Sequence, residues 1–308
     1  MSLSPLDIIK LDNIPNIKFL LLKAAIKRSS FDQQRSMNFT LPNTKFYFEG
    51  IELNELHSKH FHQVVGWEAE SDRLHPCYLH SLAFPMHVML LLLPEFPFPL
   101  LGLVHINNQI TQKRPIEKGE RLTISSCFEQ LQLHPKGCLF SIKVEFYSGA
   151  ELVWQSISTN LFLTKHGQEV EPTAEKYVNK LTYDVIANWQ LKANLGRRYA
   201  KVSGDFNPIH LSKWSAKLFG FKQHIIHGMW TKSYCISALQ KVNPTIFKHA
   251  YEVNTAFKQP LYLPSEVEWV TQTSDSGSIN DELYFKVLGN IPFNGQLPLH
   301  LTGNIRSI

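Results

Sequence analysis

The chain has 308 residues, 44% of them hydrophobic and 19% charged, the composition of a soluble globular protein able to bury a sizeable core. Its formal net charge of +5 is spread along the sequence with no dense basic stripe, which argues against a nucleic-acid binder. The four cysteines, Cys77, Cys127, Cys138 and Cys235, form no C-x-x-C pair, so neither a zinc site nor a disulfide framework is expected, only reduced and mostly buried thiols.

The first 25 residues lack a basic start followed by an unbroken apolar run and a small-residue cleavage site, so a cytoplasmic location is expected. Ile14 to Arg28 has helical character with interspersed lysines. A helix packed on the first domain is the expectation there, with contact to a membrane surface or a partner as the alternative.

Leu79 to Leu93 is an apolar, helix-compatible stretch. The run from Val88 to Val104 is cut by Pro94, Glu95, Pro97 and Pro99, so it falls short of the ~20 residues that span a bilayer, and no integral membrane segment is expected.

Ile106 to Leu122 and Val253 to Val267 read alike: an apolar-Asn pair, an apolar residue, a Gln, a Pro-apolar pair, then Gly119 or Pro264 before a new strand start. After each, apolar and polar residues alternate in short runs, Leu139 to Phe146 and Leu152 to Leu163, then Glu282 to Leu288 and Leu299 to Ile305, as in antiparallel strands with one buried face. A second apolar helix is expected over Gly228 to Leu239. Each half therefore reads as a long helix followed by a strand meander, an α+β pattern, repeated. The polar stretch from Thr164 to Tyr183, interrupted by Pro172, marks the boundary between residues 1–165 and residues 166–308.

The stretch most suggestive of chemistry is Asn194 to Leu239. Asn194 is placed as the N-cap of a short helix whose Leu195, Tyr199 and Val202 share a face, and Ser203-Gly204 stops it. Asp205-Phe206-Asn207-Pro208 then forms a turn-rich loop with His210 directly after it. Ser212 caps the next short helix, Gly220 ends it, and His224 to Met229 leads into the second apolar helix.

Tyr-x-x-x-Ser-Gly-Asp-Phe-Asn-Pro-Ile-His at 199–210, with Ala216, Gly220-Phe221 and Ile226-His227-Gly228-Met229, resembles the hydratase motif of the MaoC and R-specific enoyl-CoA hydratase family. The resemblance is sharpest over residues 194–270. It implies a double hotdog, two antiparallel sheets each wrapped around a long central helix, and reversible syn hydration of a trans-2-enoyl thioester to the (R)-3-hydroxyacyl thioester. It also implies a substrate carried on coenzyme A or an acyl carrier protein, and Asp205 and His210 as the residues that activate water.

Hydration across C2=C3 needs a base and an acid within hydrogen-bond reach of a shared water, and Asp205 and His210 on one proline-stiffened loop fit that need. Burial would raise the basicity of Asp205, while His210 titrates near neutrality by nature. Gly228 is expected to offer its backbone N–H to the developing enolate, its missing Cβ letting the thioester carbonyl approach.

Asn207 orients the loop or the ligand. Ser203, Tyr199 and His227 are secondary candidates, with Tyr199 read first as a core residue and His227 as structural. His224 is expected on the surface, and Arg197 and Arg198 as solvated charges that alternatively meet coenzyme A phosphates. A metal held by His210, His224 and His227 is disfavoured for want of ligand spacing, and no cofactor is expected. A modest positive charge suits an acidic carrier.

The first half lacks Ser-Gly-Asp-x-Asn-Pro-x-x-His. It is read as a degenerate repeat, with Leu79-His80-Ser81 as its echo of Ile226-His227-Gly228 and Leu82 to Leu93 as a lining for an acyl tunnel. A hotdog thioesterase and a non-catalytic acyl-binding module are the rival readings, and a homodimer is left open.

Overall fold

The computed structural model describes residues 6–26, 39–68, 73–100, 102–163, 183–272, 282–292 and 296–308. The boundary expected within residues 164–182, and Lys27 and Arg28 of the basic helix, lie outside the described residues.

Strands form where alternation is strongest. In β5 (Gly137–Ser148), Cys138, Phe140, Ile142, Val144 and Phe146 are all buried, a period of two that places every apolar side chain on one face. The two central helices are α3 (Pro76–Leu92) and α6 (Gly228–Val242). Their side chains are buried nearly all round, as expected of a helix enclosed by a sheet.

Among the described residues eleven strands form one sheet: β1 (Asp7–Lys10), β2 (Thr44–Glu52), β3 (Leu103–Gln112), β4 (Arg121–His134), β5, β6 (Glu151–Leu163), β7 (Tyr183–Leu191), β8 (Tyr251–Phe257), β9 (Ser265–Gln272), β10 (Glu282–Gly289) and β11 (Leu299–Ser307). Their order is β1-β2-β4-β5-β6-β3-β8-β11-β10-β9-β7. Read outward in, the first half runs β2-β4-β5-β6-β3 and the second β7-β9-β10-β11-β8, which is the same topology twice.

The two copies meet where β3 pairs antiparallel with β8, from Asn107 opposite Ala256 to Gln112 opposite Tyr251. The two alike sequence segments are these seam strands, each with the turn that leads on to β4 or β9. Each half also opens with a strand ahead of its helix, β2 or β7, which the helix-then-strands reading did not include.

At the seam a lysine is fully enclosed. Lys232 of α6 donates from Nζ to the Asn108 carbonyl at 2.7 Å, to Asn108 Oδ1 at 2.7 Å and to the Val253 carbonyl at 3.1 Å. Asn108 in turn donates from Nδ2 to Ser156 Oγ at 2.9 Å and Ser158 Oγ at 3.0 Å. Burial pushes the Lys232 ammonium down to about 7, and the three oxygens compensate it by accepting all three of its N–H groups.

α1 (Ile17–Ile26) packs against α3, as expected of a helix on the first domain. Cys77, Cys138 and Cys235 are buried, Cys127 is half-buried, and all four are free thiols. Among the described residues, no helix is long and apolar enough to cross a membrane.

Candidate active site

Between β7 and α6 the chain makes a compact excursion that carries the motif. α4 (Leu195–Ser203) ends at Gly204, whose φ of 77° is the left-handed C-cap that glycine adopts without strain, and whose N–H reaches the Ala200 carbonyl. Asn194 stands at the N-cap but makes no side-chain cap bond, contrary to expectation.

Past Gly204 the loop is tied by its own side chains. Asp205 N–H donates to Ser203 Oγ at 3.2 Å, Asn207 N–H to Asp205 Oδ1 at 3.1 Å, and Ile209 N–H to Asn207 Oδ1 at 3.4 Å. These successive side-chain turns close into the 3-10 turn Pro208–His210, where proline supplies the fixed φ. α5 (Lys213–Lys217) follows, capped by Ser212 as expected.

His210 is buried, and its Nδ1 donates to the Ile225 carbonyl at 2.9 Å, which leaves Nε2 as the free lone pair. Burial lowers its pKa, opposed by the Asp205 charge and the Ile225 bond, so the ring is neutral at neutral pH. Asp205 differs from the expected buried acid: 28% of its side chain is exposed. A carboxylate oxygen of Asp205 and a ring nitrogen of His210 lie within 4.8 Å of each other. One water accepting and donating bonds of ~2.8 Å can touch both.

His227 completes the cluster. Its ring stacks on His210 at 3.7 Å between centroids, and its Nε2 donates to the Asp205 carbonyl at 2.9 Å. It is the N-cap of α6, so one residue fixes the helix start, the Asp205 backbone and the tilt of His210. The Asp205, His210 and His227 ligand atoms are close enough together for a cation. His227 Nε2 is committed as an N–H to the Asp205 carbonyl, though, so the donor set fits a metal poorly. His224 is not part of this set and is not on the surface: it is buried, with Nε2 on the Ala193 carbonyl at 2.8 Å, bracing the loop against β7.

Gly228 begins α6 as expected, where the first amides of a helix have no intrahelical acceptor. A Cβ there would come within 2.8 Å of the Phe257 ring from β8, so the missing side chain makes room for that aromatic. Arg197 donates to the Leu211 carbonyl at 2.8 Å and so ties α4 to the loop.

A cavity of about 570 Å³ opens at this cluster. Asp205, Asn207, Ser203 and Tyr199 line it, and His210 and His227 sit against Asp205. Phe84, Val88 and Leu91 of α3 and Leu21 of α1 form part of its far side, so the expected Leu82–Leu93 lining faces the cavity.

Gly196 gave no sequence signal beyond being a glycine in a helix. A Cβ there would sit 2.2 Å from the His210 carbonyl oxygen, because α4 and the 3-10 turn touch backbone to backbone. Gly196→Ala is expected to lower stability by about 2 kcal/mol and to lower kcat more than it changes KM. Denaturant melts and steady-state kinetics check it, and an unchanged kcat in a folded variant would show that His210 tolerates the shift.

The first half carries the same local geometry with different residues. α2 (Glu55–Val65) ends at the left-handed Gly66, φ 72°, and the next residue is Trp67 where the second half has Asp205. The α3 N-cap is His75, at φ −63° and ψ 132°, against −64° and 135° for His227. The echo of His227-Gly228 is thus His75-Pro76 and not His80-Ser81, which lies inside the helix. The Trp67 indole stands edge-on to His75 at 4.8 Å, at the position after the capping glycine that Asp205 takes in the second half.

Residues 163–288 match the family model "MaoC like domain". The 3-hydroxyacyl-thioester dehydratase X of Mycobacterium tuberculosis is 27% identical over 237 residues, covering 77% of this chain and 83% of that protein. The crystal structure of HtdX of Mycobacterium tuberculosis superposes with a TM-score of 0.70 at 24% identity, over 86% of this chain and 100% of that one. A further M. tuberculosis structure, described as having a double hotdog fold, superposes with a TM-score of 0.56 at 10% identity, over 84% and 95% of the two chains. Residues 163–288 of this chain thus match a MaoC like domain, and the described residues share a double-hotdog fold with these structures.

Proposed function

We propose that this protein is a hydro-lyase that reversibly hydrates trans-2-enoyl thioesters to (R)-3-hydroxyacyl thioesters in lipid metabolism. The carrier is coenzyme A or an acyl carrier protein, and the enzyme works in the cytoplasm. The observation that carries the reading is an Asp205 carboxylate and a neutral His210 within 4.8 Å of each other, with Asp205 lining a largely apolar cavity. The similarity to a 3-hydroxyacyl-thioester dehydratase supports it.

In the hydration direction, His210 Nε2 takes one proton of the bound water as the water oxygen bonds to C3. The same proton is returned to C2, so both new bonds form on one face. Asp205 accepts the water's other O–H and stabilises the transient imidazolium across the short gap. Gly228 N–H, at the positive end of α6, receives the charge that develops on the thioester oxygen. Asn207 orients the ligand, while Ser203, Tyr199 and His227 hold the loop. This reading assigns catalysis to residues 166–308 and an architectural role to residues 1–165, where Trp67 replaces the acid.

The test is hydration of crotonyl-CoA and trans-2-decenoyl-CoA, followed by loss of enoyl absorbance and by the configuration of the product. An (R)-3-hydroxy product supports the reading. Release of free thiol without hydration would favour the thioesterase, and silence with both CoA and carrier-protein thioesters would leave the acyl-binding module.

Since the base must be neutral and burial holds the His210 pKa below 6.5, the midpoint of the acid limb of kcat/KM is expected below pH 6.5. A pH–rate profile whose acid limb has its midpoint above pH 6.5 would count against His210 as the base.

A further inference from the structure

The cavity that starts at Asp205 and Asn207 is not walled by hydrocarbon alone. His80 and His87, two turns apart on α3, and His105 on β3 line it together with Ser158 and Asn160 on β6. The His80 ring meets His87 edge-on at 5.2 Å and stacks on His105 at 6.2 Å. His80 and His87 each retain only 7% exposure. A cavity built for a plain alkyl chain gains nothing from burying imidazoles, which cost free energy unless they are hydrogen-bonded.

The protonation pattern is constrained. Burial keeps all three rings neutral, with His87 pushed down to about 4, His105 to about 3 and His80 also well below its ordinary value. One nitrogen of each ring is sealed in protein with no hydrogen-bond partner among the described residues: Nδ1 of His80, Nε2 of His87 and Nε2 of His105. An unpaired buried N–H is the rarer and costlier state, so the proton belongs on the other nitrogen of each ring. His105 uses its N–H on the Asn107 backbone. That leaves His80 and His87 as two neutral donors at the wall. Among the described residues the cavity lining holds no lysine or arginine to counter an anionic chain end.

We propose that the acyl chain this protein accepts carries a neutral oxygen function, a hydroxyl or a ketone, beyond the reacting C2–C3 bond, and that His80 and His87 hydrogen-bond it. The proposal rests on the acyl-thioester reading of the site only in taking the ligand to be a fatty acyl chain.

The test is calorimetric binding of decanoyl-CoA beside decanoyl-CoA derivatives bearing a hydroxyl or keto oxygen at single positions from C5 to C9. All are saturated at C2–C3, so binding is read without turnover. At least one oxygenated ligand is expected to bind about tenfold or more tighter than decanoyl-CoA. His80→Leu and His87→Leu should each erase most of that preference while binding decanoyl-CoA at least as well as wild type. His87→Gln, which keeps a donor and perturbs the core least, should retain part of it. Decanoyl-CoA binding as tightly as every oxygenated ligand would overturn the proposal, as would a preference that survives in both leucine variants. Hydration of enoyl-CoA without any oxygen preference sinks this inference alone. Oxygen-selective binding without hydration sinks the hydratase reading alone.

Discussion

Asp205→Asn and His210→Ala each lower kcat/KM for hydration of trans-2-decenoyl-CoA by about 10² or more. The two variants lose different things. Asparagine keeps an oxygen where Asp205 Oδ1 accepts the Asn207 N–H, so the loop closes as before and only the negative charge facing the water and His210 is gone. A near-normal thermal midpoint with collapsed activity is therefore the expected pair of results for Asp205→Asn.

Alanine at 210 removes the base, the Nδ1 bond to the Ile225 carbonyl and the stack on His227 together. Circular dichroism must accompany its kinetics, and His210→Gln, which can keep a donor to Ile225, separates the chemical loss from the structural one. If His210→Gln and Asp205→Asn both fold and both retain more than about a tenth of wild-type activity, the acid/base assignment is wrong, because positioned proton transfer contributes on the order of 10² to 10⁴.

Lys232→Met destabilises the protein by about 3 kcal/mol, the scale expected when buried oxygens lose a charged donor. Methionine matches the stem of the lysine but donates nothing, so Asn108 Oδ1 and the Asn108 and Val253 carbonyls lose their third-party donor at the seam between β3 and β8. The pH dependence checks the mechanism separately.

With the Lys232 pKa lowered from 10.5 to about 7 in the fold, the unfolded chain binds more protons between those values, so this group makes stability rise with pH across that window. Lys232→Met removes that rise. Denaturant melts of both proteins from pH 6 to 10 measure the two effects. Equal or greater stability of the variant would mean that desolvating the ammonium costs more than its three bonds return.

Much of this protein was legible in its chain. Period-two alternation located β5, β6, β10 and β11, because a sheet with one buried face writes itself into sequence at that spacing. The repeat was visible as two alike segments because both are seam strands followed by the same turn. Asp205, Asn207 and His210 were legible because the loop is local: its hydrogen bonds join residues two apart, so spacing alone carries its geometry.

What was misread depends on distant partners. His224 looked exposed since nothing near it in sequence shows that Ala193 would accept its N–H. The packing demand on Gly228 went unread because the ring of Phe257, 29 positions on, was not in view. The degenerate echo was set at His80 where cap geometry places it at His75, because dihedral angles at a helix start leave only a weak mark on residue type.

By itself, then, the sequence determined the two central helices, the strands that follow them, their duplication and the local loop that presents an acid beside a histidine. Only the tertiary structure decided that His227 stacks behind that histidine, that Gly196 admits α4 to its backbone, that Trp67 occupies the acid's place in the first half, and that three histidines of the first half wall the second half's cavity. The physical reason is common to all four. Each is a contact between segments apart in the chain, fixed by how the sheet and its two central helices pack, and packing selects for shape and hydrogen-bonding partners that no local periodicity encodes.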